Sequence, residues 1–473
     1  MSDNISLNRR QTIAGAASIT FAACAKRPRS AEDIALLDIG ALAAGFRNRA
    51  LTPADAVSAC LSRIERHDGS INAFCHIERE AAFDAAKKAA EKLAFSSDAG
   101  PLCGVPVAVK DNIDVKGMPT RAASGALSER PAERDADSVR RLREAGAVIL
   151  GKLNMHELAV GTTSATSLYG PVRNPWNPDH IAGGSSGGSG AAVAAGFCYG
   201  ALSTDTGGSI RIPAAACGVV GMKPTHGLVN LDGVVLVSAS HDHVGPICRT
   251  VADAALMLQS LCDNPAIADF RNTPTSAFRI GILQNTDKFC DGAALNDDVS
   301  AAFGAAVARI ASLVAETIPA DVPYPDLGPI IDVEAAAFHQ TLDWTKLQPA
   351  TRAGFEDERA AAPSDRTNLL DGLARFRADF ASYFNGFDLV VLPTLPAPAM
   401  LLSDAADPFA FEACTFAFSQ AGAPAISVPC GFSSRGLPIG LMIAGPPGAD
   451  AAVLALAAAY ESAAGWKGRR PPL

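Results

Sequence analysis

Two serines and a lysine stand out in this sequence as groups that could do covalent chemistry together. Ser185 lies in the glycine-rich residues 183–190, and Ser209 follows two glycines within residues 204–213. Lys110 ends a short apolar run, which predicts a buried strand. Burial that shifts a lysine pKa from about 10.4 to about 7.4 corresponds to roughly 4 kcal/mol, and the neutral amine can then act as a base. We therefore expect Lys110 to take a proton that Ser185 relays from Ser209.

The residues just before Ser209 can supply the second requirement of acyl transfer. The sequence reads Thr206, Gly207, Gly208 and Ser209. Glycines let successive backbone N–H groups crowd onto one point, where they stabilise the negative oxygen of a tetrahedral intermediate. These four residues are the candidate oxyanion hole.

Two other mechanisms fit the glycine-rich segment less well. A phosphate-binding loop needs a Gly-Lys-Ser/Thr ending and a dinucleotide fingerprint needs G-x-G-x-x-G, and neither is present. Residues 183–187 do match the G-x-S-x-G elbow of α/β-hydrolases, which requires a preceding strand. Residues 174–180 contain two prolines and two asparagines and predict a loop instead. The histidines that could complete such a triad have no distinctive context: His226, His241, His243 and His339.

Many segments of the sequence resemble the amidase signature family. They are residues 109–112, 154–158, 173–178, 183–189, 204–213, 218–225, 242–246, 393–394 and 436–440. The resemblance extends from about residue 32 to the C-terminus, and its motifs together are highly specific. It implies an α/β fold, a single-domain α/β/α sandwich around a large mixed sheet. It also implies that amides are hydrolysed with no metal and no cofactor.

The resemblance assigns a role to each residue of the triad. Ser209 is the nucleophile, Ser185 is the bridging serine on a cis peptide, and Lys110 is the base. The backbone N–H groups of residues 206–209 form the oxyanion hole.

The same resemblance suggests which residues support that loop. Asp205 and Arg211 are expected to brace it, with a substrate contact of Arg211 as the alternative. Many members of the family carry Gln where this chain has Met442. That departure concerns the surroundings of the site and not the triad.

The substrate is less well defined by the sequence. Residues 154–158 resemble indoleacetamide and mandelamide hydrolases, so we expect a small aryl or aliphatic carboxamide as the substrate. Met155 and His156 are candidate pocket residues, although a structural hydrogen bond of His156 is an equal alternative. The runner-up function is that of the glutamine-hydrolysing component of a tRNA-dependent amidotransferase, which releases ammonia from glutamine for a partner. A third hypothesis is a non-catalytic protein that keeps the fold. Separately, the resemblance suggests that the protein is a homodimer.

The elements that must position these residues alternate along the chain. Strands are predicted near residues 105–109, 147–150, 199–203, 278–283, 387–392, 425–428 and 438–443, and helices near 53–66, 77–93, 136–145, 299–313 and 451–463. Such alternation predicts a parallel or mixed sheet that is covered on both faces. Thr52 offers a helix cap before Pro53. Residues 31–98 look helical throughout, and the irregular residues 319–367 could be an insertion that covers a site.

Composition excludes several classes of protein. The chain has 473 residues, of which 48% are hydrophobic and 19% charged, so it can bury a large core and is neither disordered nor a coiled coil. A net charge of −9 argues against a nucleic-acid partner, and no apolar run reaches the length of a membrane span. Its 11 cysteines form no C-x-x-C pair, and His241 and His243 alone do not make a metal site.

The N-terminus resembles a twin-arginine export signal. Arg9 and Arg10 precede a mild apolar stretch, and residues 23–25 fit a small-x-small cleavage site. We therefore expect a signal peptide over residues 1–25, an amidase domain over 32–473 and a periplasmic location. A cytoplasmic protein with a disordered extension is the alternative, which the scattered cysteines favour. Lipidation at Cys24 is a further alternative.

Overall fold

Strands and helices alternate along the chain as the sequence predicts. A computed structural model describes residues 30–96, 99–286, 294–323, 329–361, 366–406, 409 and 411–473. The predicted signal peptide, including Cys24, lies outside the described residues. The strands are β1 Phe74–Ile77, β2 Pro106–Lys110, β3 Val148–Leu153, β4 Arg173–Asn174, β5 Asn177–Ile181, β6 Gly200–Asp205, β7 Val220–Lys223, β8 His243–Cys248, β9 Arg279–Leu283, β10 Glu316–Ala320, β11 Leu389–Pro393, β12 Ala425–Phe432 and β13 Pro438–Ala444. The helices are α1 Ala31–Ala35, α2 Ile39–Arg47, α3 Pro53–Ile71, α4 Arg79–Phe95, α5 Asp137–Glu144, α6 Gly187–Ala194, α7 Arg211–Cys217, α8 Val251–Leu261, α9 Pro265–Ala268, α10 Asp297–Ala311, α11 Pro329–His339, α12 Pro349–Ala361, α13 Arg366–Tyr383, α14 Ala413–Gln420 and α15 Asp450–Ala464.

Eleven of the described strands form one mixed sheet. Their order is β1-β3-β2-β6-β8-β7-β12-β13-β11-β9-β10, while β4 and β5 form a separate two-stranded sheet. Strand β2 lies between β3 and β6 and is parallel to both. Strands β6, β8, β7, β12, β13 and β11 then pair antiparallel in turn. The predicted mixed sheet is confirmed.

Alternate side chains of the central strands pack into two different cores. On β13, Leu441 and Ile443 belong to the large core that also contains residues of α15. Met442 and Ala444 belong to a second core together with Phe418 of α14. Because successive residues of a strand point to opposite faces, helices cover both faces of the sheet. This is the α/β/α sandwich that the sequence predicts.

Two local predictions were wrong. Residues 74–77 are strand β1, which pairs with β3, so residues 31–98 are not helical throughout and the second long helix begins only at Arg79. Residues 174–180 are not a plain loop, since β4 and β5 pair across them. Strands β1, β4 and β5 are all short, and strands of two to five residues give little periodic signal in the sequence.

The irregular region predicted as an insertion contains ordered elements in its described part. Strand β10 pairs with β9 at the edge of the sheet. Helix α11 follows, and its residues Pro329, Ile331, Asp332 and Ala335 line a cavity described below. Among the described residues, no helix is both long and apolar enough to cross a membrane.

The predicted cap of α3 gives a test of how local signals stabilise this fold. The Thr52 side chain accepts a hydrogen bond from the Asp55 N–H, and the Asp55 carboxylate accepts one from the Thr52 N–H. We predict that Thr52→Ala lowers the free energy of unfolding by about 1 kcal/mol because the Asp55 N–H loses its side-chain acceptor. Urea denaturation followed by circular dichroism measures this. Thr52→Ser should keep the cap and most of the stability; an equal loss in both variants would contradict the capping role.

Candidate active site

Lys110 lies at the carboxyl end of β2, inside the sheet. The apolar residues before it fill both faces of the strand, and the lysine side chain has no exposed surface. Its Nζ donates to Ser185 Oγ and to Thr204 Oγ1, both at 2.8 Å, and lies 3.4 Å from the Thr204 carbonyl oxygen. Thr204 belongs to the adjacent strand β6. The structure therefore brings together two of the three predicted triad residues, Lys110 and Ser185.

The environment of Lys110 favours its neutral form. Burial lowers the pKa of Lys110 to about 7, and the carboxylates of Asp205 and Asp242 oppose that shift without cancelling it. No carboxylate of the described residues pairs directly with Nζ, whose partners are hydroxyl and carbonyl oxygens. A substantial fraction of the lysine is therefore an amine with a free electron pair near neutral pH.

Ser185 is held by backbone contacts around a cis peptide bond. The peptide between Gly184 and Ser185 is cis, as the resemblance implies. The Ser185 carbonyl oxygen accepts from the His156 N–H at 2.9 Å and from Ser164 Oγ at 3.1 Å. A Cβ at Gly184 would lie 2.8 Å from the carbonyl carbon of Thr162. Glycine is thus needed there because another backbone segment packs directly against it.

The loop that carries Ser209 joins the end of β6 to the start of α7. Among the described residues, none accepts a hydrogen bond from the N–H groups of Thr206, Gly207, Gly208 or Ser209. Four neighbouring donors without a protein partner are what a candidate oxyanion hole must offer. Ser209 itself is only 6% exposed, and it lines the cavity.

A buried ion pair fixes the two ends of this loop. The Asp205 carboxylate accepts from Arg211 Nε at 3.0 Å and Nη2 at 2.8 Å, and from the Ile210 N–H at 3.0 Å. Arg211 also donates to the Thr415 carbonyl oxygen and to Ser419 Oγ. Both charged side chains are fully buried, and neither residue lines the cavity. Asp205 and Arg211 thus join the two ends of the loop, and Arg211 lies away from the cavity.

Met442 contacts the same arginine. Its Sδ lies 3.6 Å from Arg211 Nη1, in the second core of the sheet. The residue at which this chain departs from many family members therefore touches the brace of the loop and not Lys110 or either serine.

A cavity of about 490 Å³ opens beside Ser209. Its lining residues are Ala159, Val160, Gly161, Thr206, Gly207, Ser209, Val237, Pro329, Ile331, Asp332, Ala335, Phe409, Glu412 and Phe416. The walls are mostly apolar, but two carboxylates lie in them, and none of the described lining residues is a lysine or an arginine. A methyl group at Gly207 would overlap the Glu412 carboxylate, so that carboxylate lies directly against the Ser209 loop.

The two predicted pocket residues do not line this cavity. Met155 is fully buried in an apolar cluster with Phe355. The His156 Nδ1 accepts from the Ser164 N–H at 3.2 Å, and burial lowers the pKa of His156 to about 3, so the ring is neutral. A role for Met155 and His156 in substrate binding therefore stays a prediction. Of the segment that follows them, residues 159–161 line the cavity.

Sequence reasoning missed Thr204 and Glu412 as members of the site. Thr204 is two residues before Thr206, and the parallel pairing of β2 with β6 could have placed it near Lys110. Glu412 lies outside every recognised motif and gives no signal in the sequence. In the part of the chain that the structure describes, no group of three or more His, Cys, Asp or Glu side chains could hold a metal ion.

Fold and site together define an α/β protein with a buried Lys–Ser pair beside a glycine-rich serine loop. Comparison with known proteins gives the family. The Amidase family model matches residues 55–454. The chain belongs to the amidase family, and it is a hydrolase that acts on carbon–nitrogen bonds.

The names of the individual relatives indicate different substrates. The chain is 35% identical to the A-type subunit of glutamyl-tRNA(Gln) amidotransferase from Moorella thermoacetica, over 90% of this chain and 96% of that protein. It is 33% identical to a solved amidase, with a TM-score of 0.82 over 90% of this chain and 99% of the other. It also resembles 6-aminohexanoate cyclic dimer hydrolase, with 28% identity and a TM-score of 0.81 over 93% and 99% of the two chains.

The Asp205–Arg211 pair predicts a large effect on stability. Arg211→Met leaves a buried carboxylate without its counter-ion, so we expect unfolding to become easier by about 3–5 kcal/mol. Urea denaturation measures the loss. Arg134→Met is the matched control, because Arg134 makes a two-bond contact with Asp232, both side chains are exposed, and an exposed pair contributes much less than a buried one. Similar losses in both variants would contradict the role of the buried pair.

Proposed function

We propose that this protein hydrolyses a carboxamide to a carboxylate and ammonia or an amine, through an acyl-enzyme on Ser209. The observation that carries this is the buried Lys110 Nζ at 2.8 Å from Ser185 Oγ. It supplies a base next to the predicted bridging serine, and the loop of Ser209 borders the cavity.

The proposed reaction proceeds in two halves. Neutral Lys110 accepts a proton from the Ser185 hydroxyl, Ser185 takes one from Ser209, and Ser209 Oγ attacks the amide carbon. The N–H groups of residues 206–209 donate to the resulting oxyanion. The relay returns the proton to the leaving nitrogen as the C–N bond breaks. Water then repeats the attack on the acyl-enzyme, which releases the carboxylate and restores Ser209.

The curated relatives support glutamine as the amide more than the small aryl or aliphatic carboxamide predicted from residues 154–158. The Moorella thermoacetica relative is named as a component of glutamyl-tRNA(Gln) amidotransferase and covers 90% of this chain. In this candidate function, the protein releases ammonia from glutamine for a partner protein. It then works where tRNA is found, in the cytoplasm, which was the alternative to export.

The charge of the cavity favours the second candidate, a small carboxamide other than glutamine. The described lining residues include Asp332 and Glu412 but no lysine or arginine. The α-carboxylate of glutamine would find no cationic partner among these residues, whereas a neutral or amine-bearing amide with an apolar body needs none. The apolar walls, with Phe409 and Phe416, suit aliphatic or aryl carbon.

The first test is ammonia release by the purified chain from glutamine and from aryl, aliphatic and amino-acid amides. We predict that Ser209→Ala removes turnover of every substrate, with little change in stability because a small loop side chain contributes little. Preferred turnover of glutamine would support the amidotransferase candidate, and co-purification of a partner protein would strengthen it. Preference for a carboxamide without a carboxylate would support the second candidate. Turnover that survives in Ser209→Ala would contradict the mechanism. Absence of turnover, and of labelling by an acylating probe, would instead indicate a non-catalytic protein.

The second test uses the pH dependence of the reaction. Because burial lowers the pKa of Lys110 to about 7, the base is active above that pH and protonated below it. We predict that kcat/KM falls about tenfold per pH unit below pH 7 and levels off above it. Lys110→Arg should lose activity at every pH, since a guanidinium keeps its proton. A flat profile from pH 5 to 9 would exclude Lys110 as the base.

A further inference from the structure

A short turn, residues 237–242, connects the Ser209 loop to the wall of the cavity. At one end of the turn, Asp242 Oδ1 accepts from the Thr206 hydroxyl at 2.5 Å. Asp242 Oδ2 accepts from the N–H groups of Val237 and Ser238 at 2.9 and 3.1 Å. Asp242 is only 3% exposed. Both of its oxygens are therefore occupied, one by the loop and one by the turn itself.

The same turn is also attached to helix α11. Glu334 of that helix accepts from Ser238 Oγ at 2.6 Å, from Ser240 Oγ at 2.8 Å and from the Ser240 N–H at 3.1 Å. Glu334 is buried, and Ala335, the next residue, lines the cavity. Val237 lines it too. The turn thus fixes the position of helix α11, which lines the cavity, relative to the loop that carries Ser209.

The Ser209 loop needs such a support because its own sequence gives it little rigidity. Two of its residues are glycines, which adopt many backbone conformations at low cost. The buried ion pair fixes only the ends of the loop, at Asp205 and Arg211. Between them, the Gly207 carbonyl oxygen accepts from Thr415 Oγ1 at 2.6 Å. Thr206 is the residue just before the two glycines, and its side-chain hydroxyl donates to Asp242.

We propose that Asp242 is a positioning residue, which holds Thr206 so that the N–H groups of residues 206–209 point at the oxyanion. Glu334 secures the same turn to α11, so that the cavity wall and the N–H donors keep one geometry. This inference rests on the proposed function, because it assumes an oxyanion at these donors. Donors stabilise the charge only within about 2.7–3.1 Å of its position, so a small displacement of the loop costs rate and not binding.

Three substitutions separate positioning from a purely structural role. Thr206→Val removes the hydroxyl but keeps the shape, Thr206→Ser restores a hydroxyl, and Asp242→Ala removes the acceptor of that hydroxyl. The probe is a fluorophosphonate, with which Ser209 Oγ forms a bond to phosphorus while fluoride leaves and the serine proton passes to the base. Its polar phosphoryl oxygen occupies the oxyanion position, so no knowledge of the natural amide is needed.

We predict that Thr206→Val and Asp242→Ala each slow labelling of Ser209 by about tenfold or more. With an amide that the unaltered protein turns over, kcat should fall by the same factor at unchanged KM. Thr206→Ser should recover most of the loss. The double variant Thr206→Val/Asp242→Ala should be no slower than the worse single variant, because both remove one shared interaction.

A matched control is available elsewhere in the chain. The Thr225 hydroxyl donates to Asp450 Oδ2, and the Thr225 N–H donates to Asp450 Oδ1. Thr225→Val therefore removes the same kind of bond outside the site, and we expect a similar loss of stability in urea with normal labelling. The inference is overturned if Thr206→Val reacts at the normal rate, if Thr225→Val is slowed equally, or if Thr206→Ser recovers nothing. If the unaltered protein is not labelled at Ser209 at all, the proposed function itself fails, and the inference fails with it.

Discussion

The cost of burying one amine governs the chemistry of this protein. A lysine at the end of a central strand must either find a carboxylate or give up its proton, and Lys110 is surrounded by hydroxyl and carbonyl oxygens instead. A pKa of about 7 in place of 10.5 corresponds to about 5 kcal/mol in favour of the neutral form. That energy comes from the sheet, because β3 and β6 flank β2 and exclude water from it. The packing that buries Lys110 is therefore also what lowers its pKa.

The buried Arg211 keeps its charge, in contrast to Lys110. Arg211 cannot lose its proton, and it is fully paired with Asp205 by two hydrogen bonds. The result is a rigid frame around a loop that must keep its own N–H groups free. Lys110 and Arg211 thus illustrate two solutions to burial: neutralisation makes a base, and pairing makes a support.

The sequence predicts the parts of this structure that depend on local pattern. The alternation of strands with helices predicts the mixed sheet, and the resemblance to the amidase signature family assigns roles to Lys110, Ser185 and Ser209. Two kinds of feature were missed. Short strands such as β1 carry too few residues to show a period, and their pairing depends on partners far along the chain. The cavity walls come from α11 and the start of α14, where the sequence has no motif, and Met155, the predicted wall residue, lies in the core instead.

The electrostatics of those walls bear on the substrate more directly than the motifs do. Acyl transfer places a negative charge beside residues 206–209, and the Glu412 carboxylate lies against Gly207 in the same loop. The described lining residues offer no lysine or arginine to a substrate with a further negative group, whereas an amine on the substrate would face the carboxylates of Asp332 and Glu412. The family indicates that a carbon–nitrogen bond is broken, and the residues of the cavity wall bear on which amides fit beside Ser209.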